Sequence, residues 1–128
     1  MARIRTLRPE AWRDPRLTRL PLGAHRLSLY IASMADDDGR FVADARALRL
    51  DCYAHHPDGE ETTTAMVVGW LALLRQTGLF RFYDVDGVAL GEVEYRSKTS
   101  PFYQFIQRRT DSRLPASPPE AAQLGFPG

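Results

Sequence analysis

The sequence has one cysteine, one lysine and no long apolar run, and each shortage removes a class of explanation. Cys52 alone cannot close a disulfide within the chain or supply the paired thiolates of a structural zinc site, which suits a reducing compartment. No stretch approaches the ~18 apolar residues that cross a bilayer, and the opening Met1-Ala2-Arg3-Ile4-Arg5-Thr6-Leu7-Arg8 lacks the apolar segment of a secretory signal. The expectation is a cytoplasmic protein. No glycine-rich phosphate loop occurs, and no serine, histidine and aspartate set has a nucleophile-elbow context, so neither an enzyme nor a cofactor is expected. Cys52, His55 and His56 lack a fourth ligand, and adjacent histidines at a helix end point different ways, so no metal is expected. Asp36, Asp37 and Asp38 lack the ligand spacing and distal glutamate of a calcium loop and read as a solvated turn paired with Arg40.

What is present suits one small core: 128 residues, 44% of them hydrophobic, with six Phe, five Tyr and two Trp. The net charge of +1 conceals blocks of opposite sign. Residues 1–26 carry seven arginines against Glu10 and Asp14, a net +5, whereas residues 27–95 carry five arginines against twelve acids, a net −7. Residues 96–113 return to +4 through Arg96, Lys98, Arg108, Arg109 and Arg113 against Asp111. Sixteen of the seventeen cations are arginine, which suits bidentate phosphate or guanine contacts but also follows from GC-rich coding.

Periodicity divides the chain into a basic N-terminal arm (1–20), a folded domain (21–95), a basic and aromatic extension (96–113) and a flexible proline-rich tail (114–128). Leu27, Tyr30, Ile31 and Met34 recur on one face and predict a first helix over 22–36, stopped at Asp36-Asp37-Asp38-Gly39. Arg40-Phe41-Val42 predicts a short strand. Asp44 is a candidate N-cap for a second helix ending near His55-His56-Pro57, and Met66, Val67, Trp70, Leu71 and Leu74 predict a third over about 61–77. Segments 79–83 and 88–93 flank Asp86-Gly87, whose residues suit a tight hairpin. The implied class is α+β: a winged helix-turn-helix of three helices plus a β-hairpin wing. Residues 102–109 are compatible with a short fourth helix.

Three stretches carry a family resemblance. Met1-Ala2-Arg3-Ile4-Arg5-Thr6-Leu7-Arg8-Pro9-Glu10-Ala11-Trp12 resembles the "ARIRTIKPEFW" opening of winged-helix replication initiators of phages and mobile elements, also called replisome organisers. Ala35-Asp36-Asp37-Asp38-Gly39-Arg40 is similar to the family's "ADDEGR" corner, and Gly78-Leu79-Phe80 through Tyr83-Asp84-Val85-Asp86-Gly87 to its "AGLIxxYEVDG" approach to the wing. The resemblance covers residues 1–95; the Trp-His-Gln-rich segment after the wing is replaced by Tyr95-Arg96-Ser97-Lys98 and no large C-terminal domain follows. It implies a DNA-binding protein acting in replication initiation or its regulation, with replication or host proteins as further partners.

In a winged helix the first turn of the third helix faces the major groove, which nominates Thr62, Thr63 and Thr64, although Thr62 or Glu61 serves equally well as an N-cap. Glu60 and Glu61 there, and Asp84 and Asp86 at the wing tip, repel phosphate. The expected contacts therefore shift to Arg3, Arg5 and Arg8, in an arm that can lie in a minor groove; the alternative packs that arm through Ile4, Leu7 and Trp12 with solvated arginines. Arg46 and Arg49 are candidate phosphate contacts with acidic neighbours to pair with. Arg96, Lys98, Arg108 and Arg109 beside Phe102, Tyr103 and Phe105 can stack single-stranded DNA, or the aromatics dock onto the core or a second subunit. The competing reading is an interaction module whose acidic middle dimerises or binds a host protein, including as a DNA mimic, and exposure of Trp70 or Leu73 would favour it.

Overall fold

The computed structural model describes residues 4–106 and 110–118. Within them five α-helices and a three-stranded antiparallel sheet form an α+β fold in an arrangement compatible with a winged helix. The helices are α1 (Glu10–Arg13), α2 (Pro15–Thr18), α3 (Leu22–Met34), α4 (Ala45–Tyr53) and α5 (Thr64–Gln76). The strands are β1 (Arg40–Val42), β2 (Phe80–Val85) and β3 (Val88–Val93), in spatial order β1-β3-β2. None of these helices is long and apolar enough to cross a membrane.

Local chemistry sets most boundaries. The helix expected over 22–36 stops at Met34 because Ala35 turns extended, with ψ at 156°. Asp44 caps α4 by accepting from Arg46 N at 3.0 Å, as its sequence position predicts. A 3-10 turn at Gly59–Glu61 then occupies the start expected for the third helix. The N-cap consequently falls on Thr63, whose Oγ1 accepts from Met66 N at 3.1 Å, and not on Thr62 or Glu61. Asp86 and Gly87 take φ of 52° and 80°, the pair of positive values that a two-residue hairpin between β2 and β3 demands.

The core joins α3, α4, α5 and one face of the sheet through Leu27, Ile31, Leu48, Val67, Leu74, Phe41, Phe80 and Val93. Gly91 makes room for it: a Cβ there would sit 2.4 Å from the Phe41 ring. Gly39, at φ 79°, closes the corner between α3 and β1, and its carbonyl accepts from Val93 N at 2.7 Å. A Cβ at Gly39 would lie 2.4 Å from the Val93 carbonyl oxygen, so both backbone angle and space require glycine.

The segments outside 21–95 are more deeply integrated than the sequence suggests. Residues 10–18 hold α1 and α2, and Ala11 and Leu17 are fully buried. Pro15 at the first position of α2 and Asp14, accepting from Arg16 N at 2.8 Å, supply the start signals that a reading as an arm passes over. The short helix contemplated for 102–109 does not form over 102–106, where the chain turns and then runs irregularly; 107–109 lie outside the described residues. The first residues of the tail dock on the outer face of the sheet: Tyr83 OH donates to Pro115 O at 2.7 Å, and Ser117 N donates to Glu92 Oε2 at 2.9 Å.

Candidate nucleic-acid interface

The structure separates the proposed DNA contacts into engaged and exposed sets. Arg3, Arg108 and Arg109 lie outside the described residues. Arg5 does not project as an arm: its side chain is 6% exposed, Nη1 pairs with Asp37 Oδ1 at 2.8 Å, Nη2 donates to Ala35 O at 2.8 Å, and the guanidinium lies 5.4 Å from the Tyr95 ring centroid. Of the apolar anchors in the alternative, Ile4 is 99% exposed and Leu7 47%, while Trp12, 56% exposed, meets His25 edge-on; the full burial falls on Ala11 and Leu17. The reason is the slot itself, which offers a carboxylate, a carbonyl and an aromatic face, all suited to a guanidinium. Arg8 donates to Lys98 O at 3.2 Å and lies 5.9 Å from the Tyr103 ring centroid, while Gln104 exchanges hydrogen bonds with both backbone groups of Thr6. The segment 5–8 is thus sewn to 98–104.

Around α4 and α5, Arg49 Nε donates to Thr62 O at 2.6 Å and ties α4 to the loop before α5. Thr62 is buried, with Oγ1 donating to Asp58 O. Thr63 is engaged as the cap, whereas Thr64 and Arg46 are exposed. Arg96 reaches Asp38 at 3.1 Å, and the Lys98 side chain is exposed. Thr64, Arg46 and Lys98 therefore remain exposed, joined by Arg13 and Arg19 on the α1–α2 segment, which belong to the basic N-terminal block but to no sequence motif.

The acidic corner explains much of this sorting. It is not a solvated turn. Asp36 Oδ1 accepts from Asp38 N and Arg40 N, each at 2.9 Å, and Ser112 Oγ donates to its other oxygen. Asp37 takes Arg5 on one oxygen and Thr110 N, at 2.8 Å, on the other. Asp38 accepts from Arg96 and from Ser112 N at 3.1 Å. Arg40 does lie 4.0 Å from Asp38, but its Nε pairs more closely with Glu92 at 3.2 Å, and its Nη1 donates to Leu114 O. Three consecutive carboxylates thus clamp the N-terminal segment, the chain just after β3 and residues 110–112 to one point. Much of the acidic block is spent on cohesion of the molecule.

Burial also marks the tyrosines. Desolvation, opposed in part by nearby Arg5, pushes the Tyr95 phenol up to about 12; burial with neighbouring Glu92 does the same for Tyr83, and burial with Asp51 for Tyr30. An unfolded tyrosine ionises near ~10, so the fold holds these protons more tightly than the unfolded chain does. Their contribution is complete below ~10 and disappears as pH rises through about 12. Urea midpoints should therefore decline across that window, with the phenolate absorbance of these tyrosines appearing only as the protein unfolds. Ionisation of all five tyrosines near ~10 in folded protein would contradict this assignment.

Among the described residues no group of three or more His, Cys, Asp or Glu side chains converges as a metal site. Cys52 is buried, and burial pushes its thiol above the usual range. By architecture the chain is a small α+β protein, with the helices α4 and α5 followed by the β2–β3 hairpin. Comparison with protein-family models, with characterised proteins and with solved structures finds no match.

Proposed function

We propose that the chain is a winged-helix protein that binds duplex DNA and acts in replication initiation, or its regulation, in a phage or mobile element. The observation that supports it best is the succession α4, 3-10 turn, α5 and β2–β3 hairpin, with the first turn of α5 exposed at Thr63 and Thr64 and Arg46 exposed on α4. The replication role rests on the resemblance of residues 1–95 to replication initiators. Contacts are assigned to Thr64, Arg46 and Lys98, with Arg5 serving the fold. Fluorescence anisotropy on a random-sequence duplex should show binding that weakens strongly between about 50 and 200 mM salt. Arg46→Ala should lower affinity severalfold and reduce the salt slope by about 1, while Arg5→Ala should act through stability. No duplex binding at low salt, or binding indifferent to salt, overturns the reading.

A second reading, self-association, is favoured by the face of α5. Ala65, Met66, Val68, Gly69 and Ala72 are exposed, and Arg75 is the single charged residue of this helix. It is this stripe, rather than exposure of Trp70, that presents the apolar surface: Trp70 packs against Gly23 and lies 5.6 Å from the Tyr53 ring. A groove of about 390 Å³ runs between α5 and the hairpin, with Val68, Leu71, Ala72 and Phe82 in its walls and Arg75 and Asp84 also lining it. A two-fold pairing of two chains through this groove would bury its apolar walls. Sedimentation equilibrium distinguishes the readings: a dimer abolished by Val68→Glu supports the second, and a monomer at all accessible concentrations removes it.

A further inference from the structure

A different surface, built from α1, α3 and α4, has the makings of a peptide-docking site. Trp12, Leu22, His25, Arg26, Leu29 and Tyr30 line a cavity of about 530 Å³, and Asp51 also lines it. None of its lining residues belongs to α5 or to the hairpin, so occupation does not require either surface discussed above. Two large apolar side chains at this site are unusually open, Trp12 at 56% and Leu22 at 88% exposure. Exposed large apolar groups beside a concavity mark interaction sites.

The walls are held in place before any partner arrives. The Trp12 ring meets His25 edge-on at 5.8 Å, and the Nε2 of that histidine lies 3.1 Å from Ala11 O, which fixes the imidazole under the indole. Arg26 donates through Nε and Nη2 to Cys52 O at 3.1 and 3.0 Å, and its guanidinium lies 6.0 Å from the Tyr53 ring centroid. An exposed arginine and an exposed tryptophan with their rotamers already restrained lose little side-chain entropy on binding, and these two residue types dominate interface energetics.

Charge indicates the occupant. Arg13 and Arg19 are exposed at the end of α1 and just beyond α2, adding to Arg26. Of the nearby acids, Glu10 lies 3.5 Å from Arg8 and Asp14 2.7 Å from Arg16, which leaves exposed Asp51, accepting from Tyr30 OH at 3.3 Å, as the one acid among the described residues of the cavity lining. We propose that this cavity docks an acidic amphipathic helix of a partner protein, its apolar side chains entering between Trp12, Leu22 and Leu29 and its carboxylates facing Arg26, Arg13 and Arg19. Leu22 and Leu29 beside the rings of Trp12 and Tyr30 give a mixed aliphatic and aromatic wall, which suits the apolar side chains of a helix.

The test titrates the protein by calorimetry with a synthetic helix of about 16 residues, carrying leucines on one face and glutamates elsewhere, and with a twin in which lysine replaces every glutamate. The expected result is a dissociation constant on the order of 10–100 µM for the acidic peptide and at least about tenfold weaker binding of the twin. Trp12→Ala and Leu22→Glu should each weaken the acidic peptide at least about fivefold. Both positions are exposed, so the thermal midpoint should hold and loss of binding can be assigned to the surface. Equal binding of the two peptides, no binding of the acidic one at millimolar concentration, or unaltered affinity in both variants overturns the proposal. So does tighter binding of oligothymidine that the same variants weaken.

Discussion

Asp37→Ala should destabilise the protein by about 3–5 kcal/mol, because it strips a buried guanidinium of its counter-charge. The two side chains are 6% and 3% exposed, so water cannot take over the lost interaction without the N-terminal segment lifting away. Arg5 Nε already has no hydrogen-bond partner among the described residues, and the alanine variant would leave Nη1 in the same condition. Thr110 N would lose its acceptor at the same stroke. The combined variant Arg5→Met, Asp37→Leu should recover most of the loss, since neutral side chains of similar volume carry no desolvation cost. Urea denaturation of the two single variants and the double one measures this coupling directly. A cost below about 1 kcal/mol for Asp37→Ala would mean the pair does not hold the fold. Arg5 would then return to the set of candidate DNA contacts, so the same experiment bears on which surface meets phosphate.

That arginine shows where the sequence could and could not be read. Elements fixed by short-range chemistry were legible: the strand Arg40–Val42, the Asp44 cap, and the hairpin at Asp86-Gly87 follow from spacing and turn residues alone. The start of α5 was misplaced by a few residues because Gly59–Glu61 and Thr62–Thr64 offer overlapping start signals, and the 3-10 turn uses the first of them. The fate of charge was not legible. Seven arginines in the first 26 residues look alike in a count, yet Arg5 is buried against Asp37, Arg16 turns back onto Asp14 and Arg13 is exposed. These outcomes depend on contacts across 32 residues in one case and two in another. Likewise, twelve acids between 27 and 95 suggested an acidic face, but the three at the corner accept hydrogen bonds from residues up to 76 positions away. The order of helices, strand and hairpin was therefore readable, whereas the N-terminal residues read as an arm are partly helical and docked.

Phe102→Ala should be comparably damaging, at about 3–5 kcal/mol, although the residue lies beyond the segment that periodicity marks as the folded domain. Its ring is 1% exposed and packs edge-on against Phe80, itself fully buried, with centroids 5.5 Å apart. The backbone around it is tied down as tightly: Ser100 Oγ donates to Glu94 O at 2.7 Å and accepts from Phe102 N, and Gln104 N donates to Tyr95 O at 3.0 Å. Phe105, in the same aromatic cluster but 75% exposed, should tolerate alanine within about 0.5 kcal/mol. The two variants separate a docked aromatic from an exposed one, which sequence spacing alone could not do. The consequence extends to the other end of the chain, because Gln104 holds Thr6, and Lys98 O accepts from Arg8. In Phe102→Ala, hydrogen exchange at the Thr6 amide should accelerate along with exchange across 100–104. Acceleration confined to 100–104 would show that the N-terminal segment is retained by Arg5 and Asp37 alone, making the corner rather than the aromatic dock its anchor.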